Sequence, residues 1–564
     1  MAVEDVWTVS DLVLSRLAAL GVEHFFANAG TDFAPIIESF AKAEALGRPT
    51  PRPMTVPFEG TAVAMAHGTY MMTGRAQAVM VHVNVGTANA LGNLINAARQ
   101  RIPLILMAGS TPLTDRDLPG HRNRPIHWGQ DAFDQAGMVR EYVKWAYELR
   151  HPAQAAAAID RAMQIARSDP PGPVYLTLPR EILAMPVDGE DAAQPAAVPT
   201  AGAGLDPAEA DQLVDWLADA ERPLIVTSSA GADPAAWDLL GEVAERYALP
   251  VVQPMPDYAN LPGAHAMNFG ADGDDLLTAA DLVLVLDTTV PWIPTLARPR
   301  EDCRVVHAGS DPLFERLPMR THTATLAVRA APRNVLAAMR DGLAGRARAM
   351  APAADARRQR LARLQSARAE RLEEGLRRAG PLGQPAVTRA IGEVCGTEAV
   401  YLSEYHLRTD YLPLARPRSF FAVGTSGFLG WSLGAAMGAR LAAPDRLVVI
   451  GLGDGTYILN NPTACHFVGK AESLPALAVV FNNGRWNAVR RANRAMYPDG
   501  YAARHNRPPL IDLLPMPAYE RIVAAHEGHG ERVEDAASLH PALERAARAV
   551  TDDGRQAVVN VVMA

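Results

Sequence analysis

The stretch of sequence that decides the fold is Val448-Val449-Ile450-Gly451-Leu452-Gly453-Asp454-Gly455-Thr456. Its apolar first half is typical of a strand buried on both faces, and its glycines predict a sharp turn into a helix. A second apolar run, residues 476–481, ends in Asn482-Asn483-Gly484. Because open α/β sheets bind ligands at the carboxyl ends of their strands, we expect Asp454 and these asparagines to face one crevice.

The oxygen donors at these two strand ends suit a hard divalent cation. The carboxylate of Asp454 and an amide of the asparagine pair, with a backbone carbonyl from the following turn, would bind Mg²⁺ or Ca²⁺ that also holds phosphate oxygens. The glycines permit close approach of a phosphate, and the helix after Gly455 would point its N-terminus at the anion. Each motif alone is also typical of an ordinary tight turn. The stretch lacks both the GxGxxG dinucleotide pattern and a phosphate loop.

Apolar runs alternate with helical patterns in three successive segments of the chain. Examples of the runs are residues 24–27, 282–286 and 447–450. The pattern predicts an α/β fold of three doubly wound parallel-sheet domains, at about 1–186, 205–345 and 380–564. Residues 187–205, rich in Ala, Pro and Gly, predict a linker. The Arg-rich residues 346–378 predict a solvated connecting helix.

Composition excludes several classes of protein. The 564 residues include 54 Lys and Arg against 62 Asp and Glu, a net charge of −8 that disfavours nucleic acid or an anionic membrane as partner. Cys303, Cys395 and Cys465 are too dispersed for a disulfide framework or a zinc site. No stretch reaches the roughly 18–20 apolar residues of a membrane span, and the N-terminus lacks a signal-peptide pattern. We expect a cytoplasmic protein that acts on a small molecule.

A second candidate site lies in the first segment, where Val56-Pro57-Phe58-Glu59-Gly60-Thr61 opens an Ala-rich helix. We expect Glu59 to be buried there. Burial would favour its neutral, protonated form unless a hydrogen-bond partner or a positive charge stabilises the carboxylate. A carboxylate at this place also complements the helix dipole.

With both sites in view, the chain resembles the thiamine diphosphate decarboxylase and acetolactate synthase superfamily, benzoylformate decarboxylases in particular. Further matching stretches are residues 86–92, 143–148, 172–176 and 428–430. The resemblance implies a pyrimidine-binding domain at 1–186, a central domain at 205–345 and a diphosphate-binding domain at 380–564. It also implies a homodimer or homotetramer with active sites at subunit interfaces.

The resemblance assigns cofactor roles residue by residue. Glu59 would hydrogen-bond the pyrimidine ring of thiamine diphosphate, and Asp454, Asn483 and the carbonyl of Arg485 would bind Mg²⁺. Leu429 would lie beneath the cofactor, although an ordinary core position is the alternative. The other implied cofactor contacts are His406, Gly427, Gly453, Gly455 and Thr456. A structural role is the alternative for His406.

For the substrate, the resemblance implies that His82 transfers a proton and that Thr31 contacts a carboxylate. A lone histidine is often structural, and that alternative stays open. Phe58 replaces the histidine that usually precedes the cofactor glutamate, and residues 289–294 offer no second catalytic histidine. Beyond the metal motif, Arg490 or Arg491 would either face a carboxylate or lie on a solvated helix face.

The expected activity is that of a thiamine diphosphate- and Mg²⁺-dependent lyase that decarboxylates a 2-oxo acid or acts on a related carbonyl. Because the second histidine is missing, a carboligase that forms a 2-hydroxy ketone or acetohydroxy acid is the alternative. A nucleotide-binding oxidoreductase is the alternative from another class, and the intact Glu59, Asp454 and Asn483 argue against an inactive homologue. No FAD is expected, since residues 228–232 form only a glycine-poor turn.

Overall fold

The computed structural model describes residues 6–188, 202–423, 425–505 and 508–563. Most of the predicted linker at 187–205 lies outside these described residues. The chain forms two compact units. The first consists of Met1–Ala201, Ser426–Pro444 and Asn460–Leu474, and the second of the remaining segments.

The first unit is built on a parallel sheet. Its six described strands are β1 (His24–Ala27), β2 (Arg52–Thr55), β3 (Gln77–Val81), β4 (Leu104–Ala108), β5 (Ala146–Glu148) and β6 (Val174–Thr177). Its described helices are α1 (Val9–Ala19), α2 (Ala34–Leu46), α3 (Glu59–Thr73), α4 (Val83–Arg99), α5 (Ile126–Gly129), α6 (Ala155–Arg167) and α7 (Arg180–Leu183). The strand order is β2-β1-β3-β4-β6-β5, so the order reverses between β1 and β3.

The second sheet lies in the middle of the chain and belongs to the second unit. Over the part of the chain that the structure covers, its five parallel strands are β7 (Pro223–Thr227), β8 (Val251–Val252), β9 (Leu282–Leu286), β10 (Arg304–Gly309) and β11 (Leu326–Arg329). The accompanying helices are α8 (Pro207–Asp219), α9 (Pro234–Tyr247), α10 (Asp274–Ala279), α11 (Pro332–Ala344) and α12 (Ala347–Ala379). The strand order is β11-β10-β9-β7-β8. The helix predicted at 346–378 is confirmed by α12.

The third sheet is also part of the second unit. Within the described ranges its six parallel strands are β12 (Val400–Glu404), β13 (Phe420–Ala422), β14 (Val448–Gly453), β15 (Leu477–Asn482), β16 (His529–Val533) and β17 (Ala557–Val562). The helices of this part of the chain are α13 (Gln384–Cys395), α14 (Ser432–Ala442), α15 (Asp454–Leu459), α16 (Pro462–Ala471), α17 (Asn487–Met496), α18 (Tyr501–His505), α19 (Tyr519–Ala524) and α20 (Ala536–Thr551). The strand order β13-β12-β14-β15-β17-β16 reverses between β12 and β14.

These three sheets confirm the predicted fold class. The central strands are buried along their whole length, as their continuous apolar runs predict for parallel sheets covered on both faces. Two helices of the predicted third domain, α14 and α16, nevertheless belong to the first unit. The backbones of α3 and α14 approach closely at Gly68, where an added Cβ would lie 2.0 Å from the carbonyl oxygen of Ala435. In the described ranges, no helix combines the length and hydropathy needed to span a bilayer.

A buried histidine in α3 gives the fold a pH-dependent stability. His67 has no exposed surface, and its ring meets Trp431 edge-on at 5.4 Å. Burial lowers the pKa of His67 to about 3. Below about pH 6.5, His67 is therefore protonated in the unfolded chain but still neutral in the folded chain. The free energy of unfolding falls as the pH drops through this range.

We therefore expect His67→Leu to flatten the stability profile of the protein. Between about pH 8 and about pH 5, the free energy of unfolding of the wild type should drop by about 2 kcal/mol more than that of the variant. Denaturant titrations across this range measure the difference. His151→Leu, at an exposed position outside the buried core, is the control, and its profile should run parallel to that of the wild type. Parallel profiles for wild type and His67→Leu would contradict this prediction.

Candidate active site

The reversal point of the first sheet holds a histidine and an aspartate. His82 follows β3, and Asp32 lies in the short turn after β1. The two side chains are joined by a hydrogen bond of 2.5 Å between His82 Nδ1 and Asp32 Oδ1. Asp32 Oδ2 accepts hydrogen bonds from the backbone N–H groups of Val83 and Gly109, at 3.3 and 3.1 Å. The pair therefore occupies the crevice where doubly wound sheets bind their ligands.

The charge state of His82 follows from this environment. The hydrogen bond to Asp32 raises the pKa of His82 above its usual value, although partial burial opposes the change. The negative charges of Asp32 and Glu59 act in the same direction as the hydrogen bond. His82 Nε2 lies 3.4 Å from Nε2 of Gln130, on the side away from Asp32.

Glu59 is the first residue of α3, as predicted, but it is only half-buried. Asn89 on α4 donates its side-chain N–H to Glu59 Oε2 at 2.5 Å. The expectation that Glu59 is buried is therefore only partly met, and Asn89 is the partner that accompanies the carboxylate. Glu59 Oε1 faces Gly86, where an added Cβ would lie 3.4 Å away.

Within the first unit, two asparagines of α4 hold the segment around Leu429. Asn93 donates to the carbonyls of Gly60 and Gly430, at 2.9 and 3.0 Å, and Asn96 donates to the carbonyl of Phe428 at 3.0 Å. These bonds hold Leu429 close to the start of α3. Leu429 is itself half-buried, so it is not an ordinary core leucine.

The corresponding edge of the third sheet holds the second group of candidate residues. Asp454 follows β14 and is 3% exposed. Its Oδ1 accepts from the N–H of Gly455 at 2.9 Å, and its Oδ2 accepts from the N–H of Gly484 at 2.7 Å. Burial raises the pKa of Asp454 despite these donors. A bound cation would offset that cost, because it stabilises the ionised carboxylate.

The two adjacent asparagines after β15 have different environments. Asn482 is fully buried, and its Nδ2 donates to Asn560 Oδ1 at 3.0 Å within the sheet. Asn483 is half-buried, and its Oδ1 accepts from the N–H of Arg485 at 3.1 Å. Asn483 is therefore the better candidate for a ligand, and the carbonyl of Arg485 lies in the same turn.

Two aromatic rings shape the backbone cradle around Asp454. A Cβ on Gly453 would lie 2.6 Å from Cε1 of His406, and one on Gly455 would lie 2.4 Å from the Trp486 indole. Only glycine fits at these two positions. His406 Nδ1 donates to the carbonyl of Glu404 at 2.9 Å, and burial lowers the pKa of the ring. The lowered pKa favours the neutral ring, and the ring packs against Gly453.

The structure gives the exposure and backbone conformation of the remaining predicted site residues. Thr31 is exposed, and its carbonyl accepts from Arg180 Nη1 at 3.2 Å. Gly427 is exposed with a left-handed backbone at φ +79°, whereas Thr456 is 5% exposed within α15. The expected helix after Gly455 is only six residues long. Arg491 lies on the exposed α17.

Sequence patterns alone did not reveal Asp32, Asn89, Gln130 or Trp486. Asp32 is next to the predicted site residue Thr31, but a turn aspartate gives no signal of a partner 50 residues away. Asn89 lies in the matched stretch at 86–92, and its spacing from Gly86 placed it on the same face of α4 one turn later. That spacing was a usable signal.

The residues at both strand edges fit the groups that the resemblance implies. Carboxylate, amide and carbonyl oxygens are the ligands that Mg²⁺ prefers, and all three kinds are present at the edge of the third sheet. Nowhere in the described ranges do three His, Cys, Asp or Glu side chains gather as a metal site. This is consistent with a site that relies on amide and backbone oxygens and on the phosphates themselves.

Comparison with known families identifies the class of protein. Three family models match in order: the N-terminal TPP binding domain of thiamine pyrophosphate enzymes at residues 7–138, the central domain at 210–339, and the C-terminal TPP binding domain at 405–561. The chain therefore belongs to the thiamine pyrophosphate enzymes.

Individual relatives include both decarboxylases and carboligases. The chain is 26% identical to a sulfoacetaldehyde acetyltransferase of Rhodobacter capsulatus (88% of this chain, 85% of the relative) and 26% identical to a benzoylformate decarboxylase of Pseudomonas aeruginosa (86% and 87%). It is 23% identical to the acetolactate synthase large subunit of Lactococcus lactis (87% and 83%). A Rhodococcus jostii 4-hydroxybenzoylformate decarboxylase shares the fold, with a TM-score of 0.76, 21% identity and 99% of each chain covered.

Proposed function

We propose that this enzyme is a thiamine diphosphate- and Mg²⁺-dependent lyase that decarboxylates a 2-oxo acid and releases an aldehyde. The observation that supports this most is the position of His82, which shares a crevice with Glu59 and has a raised pKa. Release of an aldehyde requires a proton at the carbon that has lost CO₂, and a protonated imidazole is a suitable donor.

Thiamine diphosphate, when bound, supplies the carbon that adds to the substrate carbonyl and accepts the electron pair left by CO₂. Glu59 would hydrogen-bond the pyrimidine ring through the carboxyl group that Asn89 holds in place. Leu429 would support the cofactor from below, and the carbonyl of Gly427 would accept from its amino group. Thr31 would contact the substrate carboxylate.

The diphosphate end would be held at the edge of the third sheet. Asp454, Asn483 and the carbonyl of Arg485 would bind Mg²⁺, which neutralises phosphate charge. Gly453, Gly455 and Thr456 would line the diphosphate. His406 would shape this cradle by packing on Gly453. Its Nδ1–H is already hydrogen-bonded to the carbonyl of Glu404.

A carboligase is the second candidate function. It is favoured by the absence of histidine from residues 289–294 and by relatives named acetolactate synthase and acetyltransferase. With fewer proton donors, the substrate-derived carbon would add to a second carbonyl and give a 2-hydroxy ketone or acetohydroxy acid. The oxidoreductase alternative loses its basis, because the chain belongs to the thiamine pyrophosphate enzymes.

We also propose the domain ranges 1–186, 205–345 and 380–564, a homodimer or homotetramer with active sites at subunit interfaces, and a cytoplasmic location. The location is supported by Cys303, Cys395 and Cys465, which form no disulfide. Gel filtration with light scattering tests the oligomer, and a monomer with full activity would contradict it.

The decisive experiment combines a titration with a product assay. Metal-free protein is titrated with thiamine diphosphate, with and without Mg²⁺, and the loaded enzyme is then given aromatic and aliphatic 2-oxo acids. We expect binding that requires the metal, and CO₂ release matched by an equal amount of aldehyde. A 2-hydroxy ketone as the main product would favour the carboligase. Tight cofactor binding without CO₂ from any 2-oxo acid would contradict the lyase.

A further inference from the structure

Asp32 is buried in the crevice of the first sheet, and its hydrogen bonds orient it toward His82. Its side chain is 3% exposed, whereas that of His82 is 23% exposed. As an ionised carboxylate it offers only acceptors, and its acceptors meet the N–H groups of Val83, Gly109 and the His82 ring. The aspartate is thus held from the protein side, and the histidine reaches toward solvent.

We propose that Asp32 is a positioning residue. Its carboxylate accepts a hydrogen bond from the Nδ1–H of His82 and keeps the proton on Nδ1, so that Nε2 is the nitrogen that exchanges a proton with the substrate. The inference rests on the proposed function for the identity of the substrate. Asp32 thereby determines which nitrogen of His82 acts.

The surrounding backbone is shaped to make this contact possible. An added Cβ on Gly30 would lie 2.1 Å from His82 Nδ1, and one on Gly109 would lie 2.1 Å from Asp32 Oδ2. Val83 has a positive φ of +33°, which is unusual for a β-branched residue, and its N–H donates to Asp32. Strained backbone of this kind persists only where the surroundings hold it, and functional sites often show it.

The charges around His82 favour its protonated form. Asp32 on the turn after β1 and Glu59 on α3 both raise its pKa, and the hydrogen bond to Asp32 contributes most. Arg180 on α7 donates to the carbonyl of Thr31 beside Asp32, and its charge interacts with that of Asp32. Because the folded-state pKa is raised, the pair stabilises the fold fully below about pH 6.5, and this is lost as the pH rises through the raised value.

Gln130 meets the other nitrogen of the ring. The amide nitrogen of Gln130 lies 3.4 Å from Nε2, which suits a neutral ring that accepts at Nε2. A protonated His82 presents an N–H there, and the amide of Gln130 accepts it once its oxygen and nitrogen exchange places. When Nε2 gives its proton to the substrate-derived carbon, the electron pair left by CO₂ becomes the new C–H bond. The N–H bond breaks and the ring becomes neutral, and solvent then returns the proton.

Carbethoxylation of histidines in the cofactor-free protein tests the inference without any turnover. Diethyl pyrocarbonate reacts with neutral imidazole, so peptide mass spectrometry from about pH 5 to about pH 9 yields the titration midpoint of each histidine. We expect His82 in the wild type to titrate above the usual range. In Asp32→Asn its midpoint should move to lower pH, while His540, on the exposed face of α20, keeps its profile in both proteins.

The catalytic consequence is measured on the loaded enzyme. Asp32→Asn should lower kcat for aldehyde release by about 10- to 100-fold with little change in KM, and should raise the share of 2-hydroxy ketone. If Asp32→Asn fails to fold, the wild-type midpoint alone decides: a value at or below the usual histidine range overturns the proposal. So does an unchanged His82 midpoint in a folded variant. A missing CO₂ release with the expected midpoints would instead contradict the proposed function.

Discussion

Glu59→Gln should fold and bind thiamine diphosphate with Mg²⁺ but turn over 2-oxo acids about 10²- to 10⁴-fold more slowly than the wild type. Glu59 begins α3 at the edge of the first sheet, and its carboxylate already accepts from Asn89. Glutamine keeps the shape and one acceptor oxygen but cannot exchange a proton. The loss should therefore fall on kcat and leave the affinity for the cofactor nearly unchanged.

Steady-state CO₂ release and calorimetric titration of the cofactor measure the two quantities separately. Glu44→Gln is the matched control, since Glu44 is exposed on α2 and the substitution is chemically identical. It should match the wild type in both assays. A Glu59→Gln variant whose kcat stays within about threefold of the wild type would contradict the assignment of proton exchange to this carboxyl group.

Asp454→Asn should remove the metal-dependent part of cofactor binding, with a rise in Kd of more than about 100-fold. Asp454 is buried at the end of β14, and it contributes the negative charge of the candidate metal site. The amide has no charge for the cation, and its NH₂ group would face the N–H of either Gly455 or Gly484. Binding without Mg²⁺ should change little.

The measurement is a titration of both proteins with thiamine diphosphate at saturating Mg²⁺, with circular dichroism to show that the variant folds. Asp445→Asn provides the control, because Asp445 is exposed just before the same strand. Unaltered affinity in a folded Asp454→Asn would place the metal elsewhere. Weakened affinity in both variants would point to a general loss of charge rather than a metal ligand.

The buried strands and the cofactor motifs are local properties of the chain. Strands such as β9 and β14 are continuous apolar runs, and their burial on both faces follows from hydrophobicity alone. An edge strand such as β2, Arg-Pro-Met-Thr, gives no such signal, because it buries only Met54 and lacks a periodic pattern. Short edge strands form only because a neighbour supplies their hydrogen bonds.

For the candidate site, too, the sequence indicates the residue types but not their environments. Asp454 and Asn483 could be singled out because each follows an apolar strand and carries an oxygen donor. Their environments could not be predicted, since the sequence does not tell that Asn482 turns into the sheet toward Asn560. The half-exposed state of Glu59 also depends on α4, which approaches it only in the folded chain.

The amino-acid order alone therefore accounts for three parallel sheets, their central strands and the residue types of a thiamine diphosphate site, because these depend on contacts between near neighbours and on side-chain chemistry. The tertiary structure alone places α14 and α16 with the first unit and pairs Asp32 with His82. The reversal of strand order between β1 and β3 creates that pair, since it brings two distant turns to one crevice.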